Sequence, residues 1–338
     1  MKQQINRIIL LLAVLLSFSS CVVESAKIAP KQTVTIFTDC LSKKDVKLFK
    51  DFHKKEKIKV KIIYLPTDTI LKKIKQQGFN TSADVLILKS LFDINKARLQ
   101  ELLHPIKTSK MDEQIDAKFK AKDNSWFGIG FDPYVFIAKN DTLPSLSDFN
   151  ELLDKKNQQK WSTNHTLARE LIPMLAPVFH KKKRVEIKEW YANFLDKKHT
   201  QDKNYNSRKI ALVPTNTLLT SYSEYVKIME DKKSQTKDFS MVFSNQKGKG
   251  AFYNLHCAAI VYQAKNYENA KLLLEYIASD RMNDKLNNRW NTFPINIFNE
   301  QHQYAYQNDN FKLFKGSSAK LIVNYVNLER YVKDKKAE

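Results

Sequence analysis

The sequence has no His-Glu-x-x-His, no Gly-x-Ser-x-Gly and no glycine-rich phosphate loop. Those arrangements supply the reacting groups of metalloproteases, serine hydrolases and nucleotide phosphotransferases. Asp39 and Asp132 can be written as a carboxylate pair, but nothing in the chain fixes their separation, so no enzyme is expected. Zinc-finger, RNA-recognition and basic-zipper patterns are missing as well. There is no internal repeat, and no low-complexity tract beyond lysine richness. Acidic residues are in the minority, 36 against 57 Lys and Arg, for a formal net charge of +21. Such an excess points to an anionic partner. The lysines, however, are spread as surface pairs such as Lys43-Lys44, Lys54-Lys55 and Lys72-Lys73 rather than interleaved with aromatics. We read them as a solvated face and expect no nucleic-acid partner.

Only one apolar run bears on a membrane. Ile8 to Leu16 is too short to span a bilayer as a stable helix, and it follows Lys2 and Arg7 as the core of an export signal. Phe18-Ser19-Ser20-Cys21 then resembles a bacterial lipobox, loose at its first position. The expectation is a lipoprotein signal peptide over 1–20, a lipidated Cys21, and a tether over 21–31. An ordinary signal cut near Ser25-Ala26 is the other reading. The protein is expected to be exported and lipid-anchored in the bacterial cell envelope, facing the periplasm. Of three cysteines, Cys40 and Cys257 remain. In an exported chain they are either a disulfide or two buried thiols. Cys40, His256 and Cys257 together offer ligands for a soft or borderline metal. His256 and Cys257 are strand neighbours and point to opposite faces, so no metal site and no cofactor are expected.

At 338 residues, 43% of them hydrophobic, the chain is long enough for two lobes with their own cores. Thr33 to Thr38 reads as a first strand, followed by Ser42 with Asp45 as a near capping box and an apolar stripe of Val46, Phe49 and Phe52. Ile58 to Leu65 is a second strand. A helix opens at Thr67-Asp68-Thr69, with Ile70, Leu71 and Ile74 inward. Ser82 to Ile87 is a third strand. This alternation argues for a parallel sheet. Lys209 to Val213 reads as a strand with Pro214-Thr215-Asn216-Thr217 as the loop after it. Met241 to Phe243 and Leu255 to Tyr262 are strands on either side of the turn Gln246-Lys247-Gly248-Lys249-Gly250. A closing helix runs from about Glu268, with Leu272, Leu273, Tyr276 and Ile277 on one face.

Phe243, Gln246, Gly248 and Gly250, then Asn254-Leu255, then Asn266, Asn269-Ala270 and Leu273-Leu274-Glu275-Tyr276 stand in a characteristic order. That order resembles the closing segment of the ferric-ion-binding family of periplasmic binding proteins, the soluble receptors of ABC importers. Ser82-Ala83-Asp84-Val85, Trp126-Phe127-Gly128 and Leu143-Pro144-Ser145 match further family segments in order, so that the likeness covers most of 33–298. It is weakest from Glu151 to Arg208. The resemblance implies an α/β type II periplasmic-binding-protein fold of two lobes, each a mostly parallel sheet flanked by helices, with a hinge and an interlobe cleft. It places lobe 1 at 32–132 and 252–297, and lobe 2 at 133–251 and 298–338. It implies a solute-binding protein, acting as a monomer, that carries a small ligand to an ABC permease and its ATPase. Fe(III) enters as cargo rather than cofactor. The alternative is a tethered envelope receptor or scaffold that kept the fold for sensing or assembly.

In open α/β sheets, ligands bind beyond the carboxyl ends of strands. The candidate ligand-binding residues are therefore Thr38, Asp39 and Cys40; Lys89 and Ser90; Asp132 and Tyr134; Ser162 with Thr163; and Thr215, Asn216 and Thr217. By resemblance, paired tyrosines after the strand matching Ala211-Leu212-Val213 would hold ferric iron. Asn216-Thr217 stand there instead, and Leu41 and Lys89 stand near the other expected ligands. Tyr222 and Tyr225 lie further on. What remains is a pocket of mixed sign. It suits an iron chelate or Fe(III) by family, or a small anion or zwitterion by its residues.

Overall fold

The computed structural model describes residues 33–139, 144–157, 160–163, 217–230, 239–296 and 311–316, together with 175–176, 185–186, 189–190, 192, 318, 321–322, 325–326, 328 and 330. The signal peptide, Cys21, the tether, the strand at Lys209 to Val213, and Thr215 and Asn216 lie outside the described residues.

Strand β1 (Thr33–Thr38) is β-branched throughout except at Phe37, and all but Thr33 is buried. Ser42 and Asp45 do form a capping box, opening a 3-10 turn (Lys43–Phe49) that runs into helix α1 (Lys50–Glu56). Phe49 and Phe52 face the core, but Val46 is 38% exposed and is not part of the stripe; the tighter 3-10 turn rotates it outward. Strand β2 (Lys59–Tyr64), helix α2 (Thr67–Gln77), strand β3 (Val85–Leu88) and helix α3 (Leu91–Leu99) follow. Ile70, Leu71 and Ile74 are buried, as the spacing requires. Strand β4 (Leu103–His104) and helix α4 (Ser109–Gln114) lead to the longest strand, β5 (Phe127–Lys139). Beyond it lie β6 (Trp161–Thr163), β7 (Thr217–Ser221), helix α5 (Tyr222–Glu230), β8 (Phe239–Phe243), β9 (Tyr253–Val261), helices α6 (Tyr267–Ala278) and α7 (Asp280–Trp290), and β10 (Phe293–Pro294). None of the described helices is long and apolar enough to cross a membrane.

The sheet runs β2-β1-β3-β9-β5-β7-β6. β1 is parallel to both β2 and β3, so the expected parallel sheet is present there. β9 joins antiparallel to β3, and β5 joins antiparallel to β9. β5 then changes partners within its own length. Residues 127–133 pair with β9, and 134–139 pair with β7 and β8. The change falls at Pro133, which has no N–H to give a ladder, and Tyr134 N–H reaches Phe252 O at 2.8 Å.

A register shift interrupts β5 between Gly128 and Gly130. It turns the Ile129 carbonyl out of the ladder, where it accepts from Asn283 Nδ2 at 2.7 Å and Asn287 Nδ2 at 2.8 Å, both from α7. Asn283 Oδ1 in turn accepts from the backbone of Ile295 and Asn296. The helix lies so close that a Cβ at Gly130 would collide with the Asn287 side chain. Two buried asparagines in one amphipathic helix therefore satisfy a carbonyl that the bulge would otherwise orphan.

Asp84, from the Ser-Ala-Asp-Val segment, is buried and structural. It accepts from Thr35 N at 2.9 Å and from Asn266 N and Nδ2 at 3.1 Å, tying β1 to the start of α6. On α6 the buried face is Ala270, Leu273, Leu274 and Ile277, whereas Leu272 is 41% exposed and Tyr276 half-buried. The inward face thus lies one step round from the expected one. The turn after β8 ends at Gly250, whose φ of +85° and close backbone neighbours at Lys312 and Leu313 leave no room for a side chain.

Candidate functional site

One carboxylate gathers three segments at the carboxyl ends of β1 and β3. Asp39 Oδ1 accepts from Lys89 N at 2.9 Å, and its Oδ2 accepts from Thr67 Oγ1 at 2.7 Å. Thr38 is buried just behind it, and its Oγ1 accepts from Cys40 N and Leu41 N, which sets the shape of that loop. Ser90 is the N-cap of α3, its Oγ accepting from Phe92 N and Asp93 N. The Lys89 side chain is exposed.

Asn254 on β9 extends this rim. Its Nδ2 donates to Lys89 O at 2.7 Å and its Oδ1 accepts from Leu91 N at 3.3 Å. Asn254 stands opposite Asp132 in the β5–β9 ladder. Asp132 is buried and accepts from Ser223 N at 2.9 Å and Ser223 Oγ at 2.6 Å, at the start of α5. Burial pushes the Asp132 carboxyl above the ordinary range, against the pull of the Ser223 hydrogen bonds. A connected path thus crosses the sheet from Asp39 through Lys89, Asn254 and Asp132 to Ser223. Of the two acidic candidates, Asp39 lies half-buried at the rim, while Asp132 is turned onto a helix N-terminus.

Tyr134 is buried against Phe149, and burial, with Asp132 nearby, holds its phenol far up in pKa. Ser162 is half-buried and Thr163 buried, both within β6. Thr217 is not on a loop. It is the first residue of β7, fully buried, with its hydroxyl at 3.0 Å from Ser145 Oγ and accepting from Ser145 N at 3.1 Å.

Cys40 and Cys257 are both free thiols rather than a disulfide; Cys257 is buried, as the second reading has it, and Cys40 is half-buried. Burial raises both, and each thiol stays protonated. His256 is 8% exposed, edge-on to Trp290 at 4.6 Å. Burial, with Lys89 and Lys227 adding to it, pushes its imidazole down to about 3, so the ring is neutral. Among the described residues no group of three or more His, Cys, Asp or Glu could hold a metal ion.

Of the loop expected at Pro214-Thr215-Asn216-Thr217, only Thr217 is among the described residues, and it opens β7. The strand entering α5 is Thr217–Ser221, and the residue after it is Tyr222. Leu218, Leu219 and Thr220, followed by the helical spacing of Tyr225 and Ile228, carried that signal. Tyr222 is half-buried among rings, at 5.0 Å from Phe293, 5.9 Å from Phe243 and 6.3 Å from Tyr225. Burial, then Tyr225 and Asp132, raises its phenol. Its neighbour Ser223 carries the Asp132 contact, so Tyr222 stands at the far end of the path that begins at Asp39.

The family described as bacterial extracellular solute-binding protein matches residues 47–297 of this chain. Iron uptake protein A1 of Synechocystis sp. (strain ATCC 27184 / PCC 6803 / Kazusa) is 22% identical over 290 residues, 82% of this chain and 76% of that protein. Among solved structures, the chain is similar to the Trichodesmium protein IdiA (FutA) in complex with iron and citrate ligands. The TM-score is 0.77 at 19% identity, over 89% of this chain and 98% of that one. It is similar also to a ferric binding protein from Campylobacter jejuni, with a TM-score of 0.76 at 19% identity over the same shares of the two chains.

Proposed function

The chain belongs to the bacterial extracellular solute-binding protein family, and from that premise we propose that it is the receptor of an ABC importer for a ferric chelate. Its fold is that of the type II periplasmic binding proteins. The two sets of β5 partners support a division into lobe 1 (32–132 and 252–297) and lobe 2 (133–251 and 298–338), with the cargo between them. On this reading the protein is exported, held to the envelope through a lipidated Cys21, and delivers its cargo to a permease and ATPase.

The observation that carries the cargo assignment is the place of Tyr222 directly after β7. A phenolate oxygen is a hard donor suited to Fe(III), and the relatives above are named for iron. Tyr222 and Tyr225 offer two phenols, and the described residues hold no cluster of three acidic, His or Cys ligands beside them. A chelator bringing its own oxygens would complete the coordination. The exposed Lys89 across the rim would offset the chelator's negative charge, while neutral His256 would add none. Because burial keeps the Tyr222 phenol protonated, binding displaces a proton and strengthens as pH rises.

The test is a titration of the purified protein with ferric citrate, with citrate alone and gallium citrate as further arms. Binding of ferric citrate, with a visible phenolate-to-iron absorption band that disappears in Tyr222→Phe, is expected. A thermal midpoint for Tyr222→Phe within about 2 °C of the parent separates lost ligation from lost folding. Unchanged affinity and colour in Tyr222→Phe would remove the tyrosine from the site, and no response to any of the three ligands would end the ferric reading.

A further inference from the structure

Residues 43–75 contain twelve lysines against Asp45, Asp51, Glu56 and Asp68, a net +8 of the chain's +21 in about a tenth of its length. All but Lys73 of these lysines are exposed. Three of the four acids are already engaged. Asp45 accepts from Arg289 and Ser42, Asp51 from Lys285 with Arg281 alongside at 3.1 Å, and Glu56 lies 3.1 Å from Lys55.

Topology then sorts the lysines by end. β1 and β2 are parallel and in register from Thr33 opposite Lys59 to Thr38 opposite Tyr64, so Asp39 and the rim lie at one end and Thr33 and Lys59 at the other. Helices joining parallel strands run back against them. α1 therefore delivers Lys54 and Lys57 to the Lys59 end, and α2, which starts at the rim with Thr67 on Asp39, delivers Lys75 there. Phe79 follows directly and, at 80%, is the most exposed large apolar side chain among the described residues. β2 is the outermost strand on this side of the sheet. The chain enters the fold at Thr33, on the same end.

We propose that this end, carrying Lys54, Lys57, Lys59, Lys75 and the projecting Phe79, is a docking surface for the anionic headgroups of a lipid bilayer. Exposed lysines and an exposed aromatic at one end of the strands match what an anionic interface recognises: charge for the phosphates and a ring for the headgroup level. The placement leaves the Asp39–Tyr222 rim at the opposite end of the strands, away from the lipid. If Cys21 is lipidated, the residues between it and Thr33 reach at most roughly 40 Å when fully extended, so the surface stays within range of the membrane. The inference uses the export reading but not the choice of cargo.

The test is co-sedimentation with lipid vesicles of the mature chain from residue 22 onward, which holds the whole of the compact unit beginning at Thr33. Vesicles of phosphatidylethanolamine with a phosphatidylglycerol fraction are compared with neutral phosphatidylcholine vesicles at near-physiological salt. Binding to the anionic vesicles alone is expected, weakening as salt is raised. Changing Lys54, Lys57, Lys59 and Lys75 to Glu should lower affinity at least tenfold. Changing the exposed Lys247, Lys249, Lys312 and Lys315 to Glu, an equal loss of charge elsewhere, should lower it less than threefold. Phe79→Ser should cost a few-fold. Ferric citrate binding, measured in parallel, should be unchanged in every variant, so that failure here is distinguishable from failure of the cargo reading. No binding to anionic vesicles, equal losses in the two lysine sets, or tighter capture by heparin through the same four lysines would each overturn the proposal.

Discussion

The two ends of strand β5 live in different surroundings. From Phe127 to Pro133 it lies against β9 in a continuous core with β1, β3 and α6, where Val34, Ile36, Leu86, Ile87, Ile260 and Leu273 are wholly buried. From Tyr134 onward its partners are β7 and β8, and on one face Val135, Ile137, Leu218 and Ile228 form a separate small cluster. That cluster is edged by half-buried rings, including Tyr222, Tyr225, Phe239 and Phe243. The first region is built to hold loops still. The second sets the proposed ligand Tyr222 among aromatics with partial access to water. The contrast teaches that the scaffold rests on one large buried core of aliphatic and aromatic side chains, whereas the proposed ligand sits beside a small aliphatic cluster edged by half-buried rings.

Cavity formation gives the sharpest way to break that comparison. Leu86→Ala, in the middle of β3, should cost about 3–5 kcal/mol because the surroundings cannot collapse into the space. Ile137→Ala, in the four-residue cluster, should cost about 2 kcal/mol, at the low end for such a deletion. Equal losses in chemical denaturation would mean that the two regions are one core after all.

The link between the regions is the Asp132–Ser223 contact. Asp132→Ala should destabilise by about 2–3 kcal/mol, because two hydrogen bonds disappear and Ser223 N–H is left buried. Asp132→Asn should recover most of that loss, since an amide keeps an acceptor for Ser223 N–H and needs no buried charge. A smaller effect for Ala than for Asn would show that the carboxylate is not what holds α5 in place.

His256 tests the rim between the regions by pH. Its folded value, about 3, lies below the ordinary value near 6.5. Between these values the unfolded chain binds a proton that the folded chain does not. Stability contributed by the neutral ring is therefore complete above about 6.5 and falls as pH drops toward about 3, by at most about 1.4 kcal/mol per pH unit. His256→Gln should flatten that part of the pH–stability curve, and an unchanged slope would place the proton uptake on other groups. The smallest effect is expected at Leu272→Ala, on the exposed face of α6, within about 0.5 kcal/mol of the parent in the same denaturation assay.

The first region was the more legible in the chain. Alternation in Thr33–Thr38, the apolar run after Asp84 and the Ile70, Leu71, Ile74 spacing are local signals, and those strands and that helix stand where the signals put them. Helix faces were less secure. Val46 and Leu272 are apolar by type but lie outside the buried arc, one through a 3-10 turn and one through a single-step offset. The second region was less legible. Thr217 reads as the end of a loop, whereas pairing with β5 and β6 makes Thr217–Ser221 the strand that enters α5. The roles of Asp39 and Asp132 were equally hidden, since both are aspartates near strand ends. Their partners, Lys89 and Ser223, lie 50 and 91 residues away in sequence.

The carbonyl of Ile129, gripped by two asparagines of α7, has one more consequence. It makes the stretch of β5 before Asp132 a clamped shaft, braced by a helix and by the chain that follows it. If the two lobes swing, the bending must then gather in the few residues past the clamp, around Pro133. A joint there would follow from a register shift within a strand thirteen residues long.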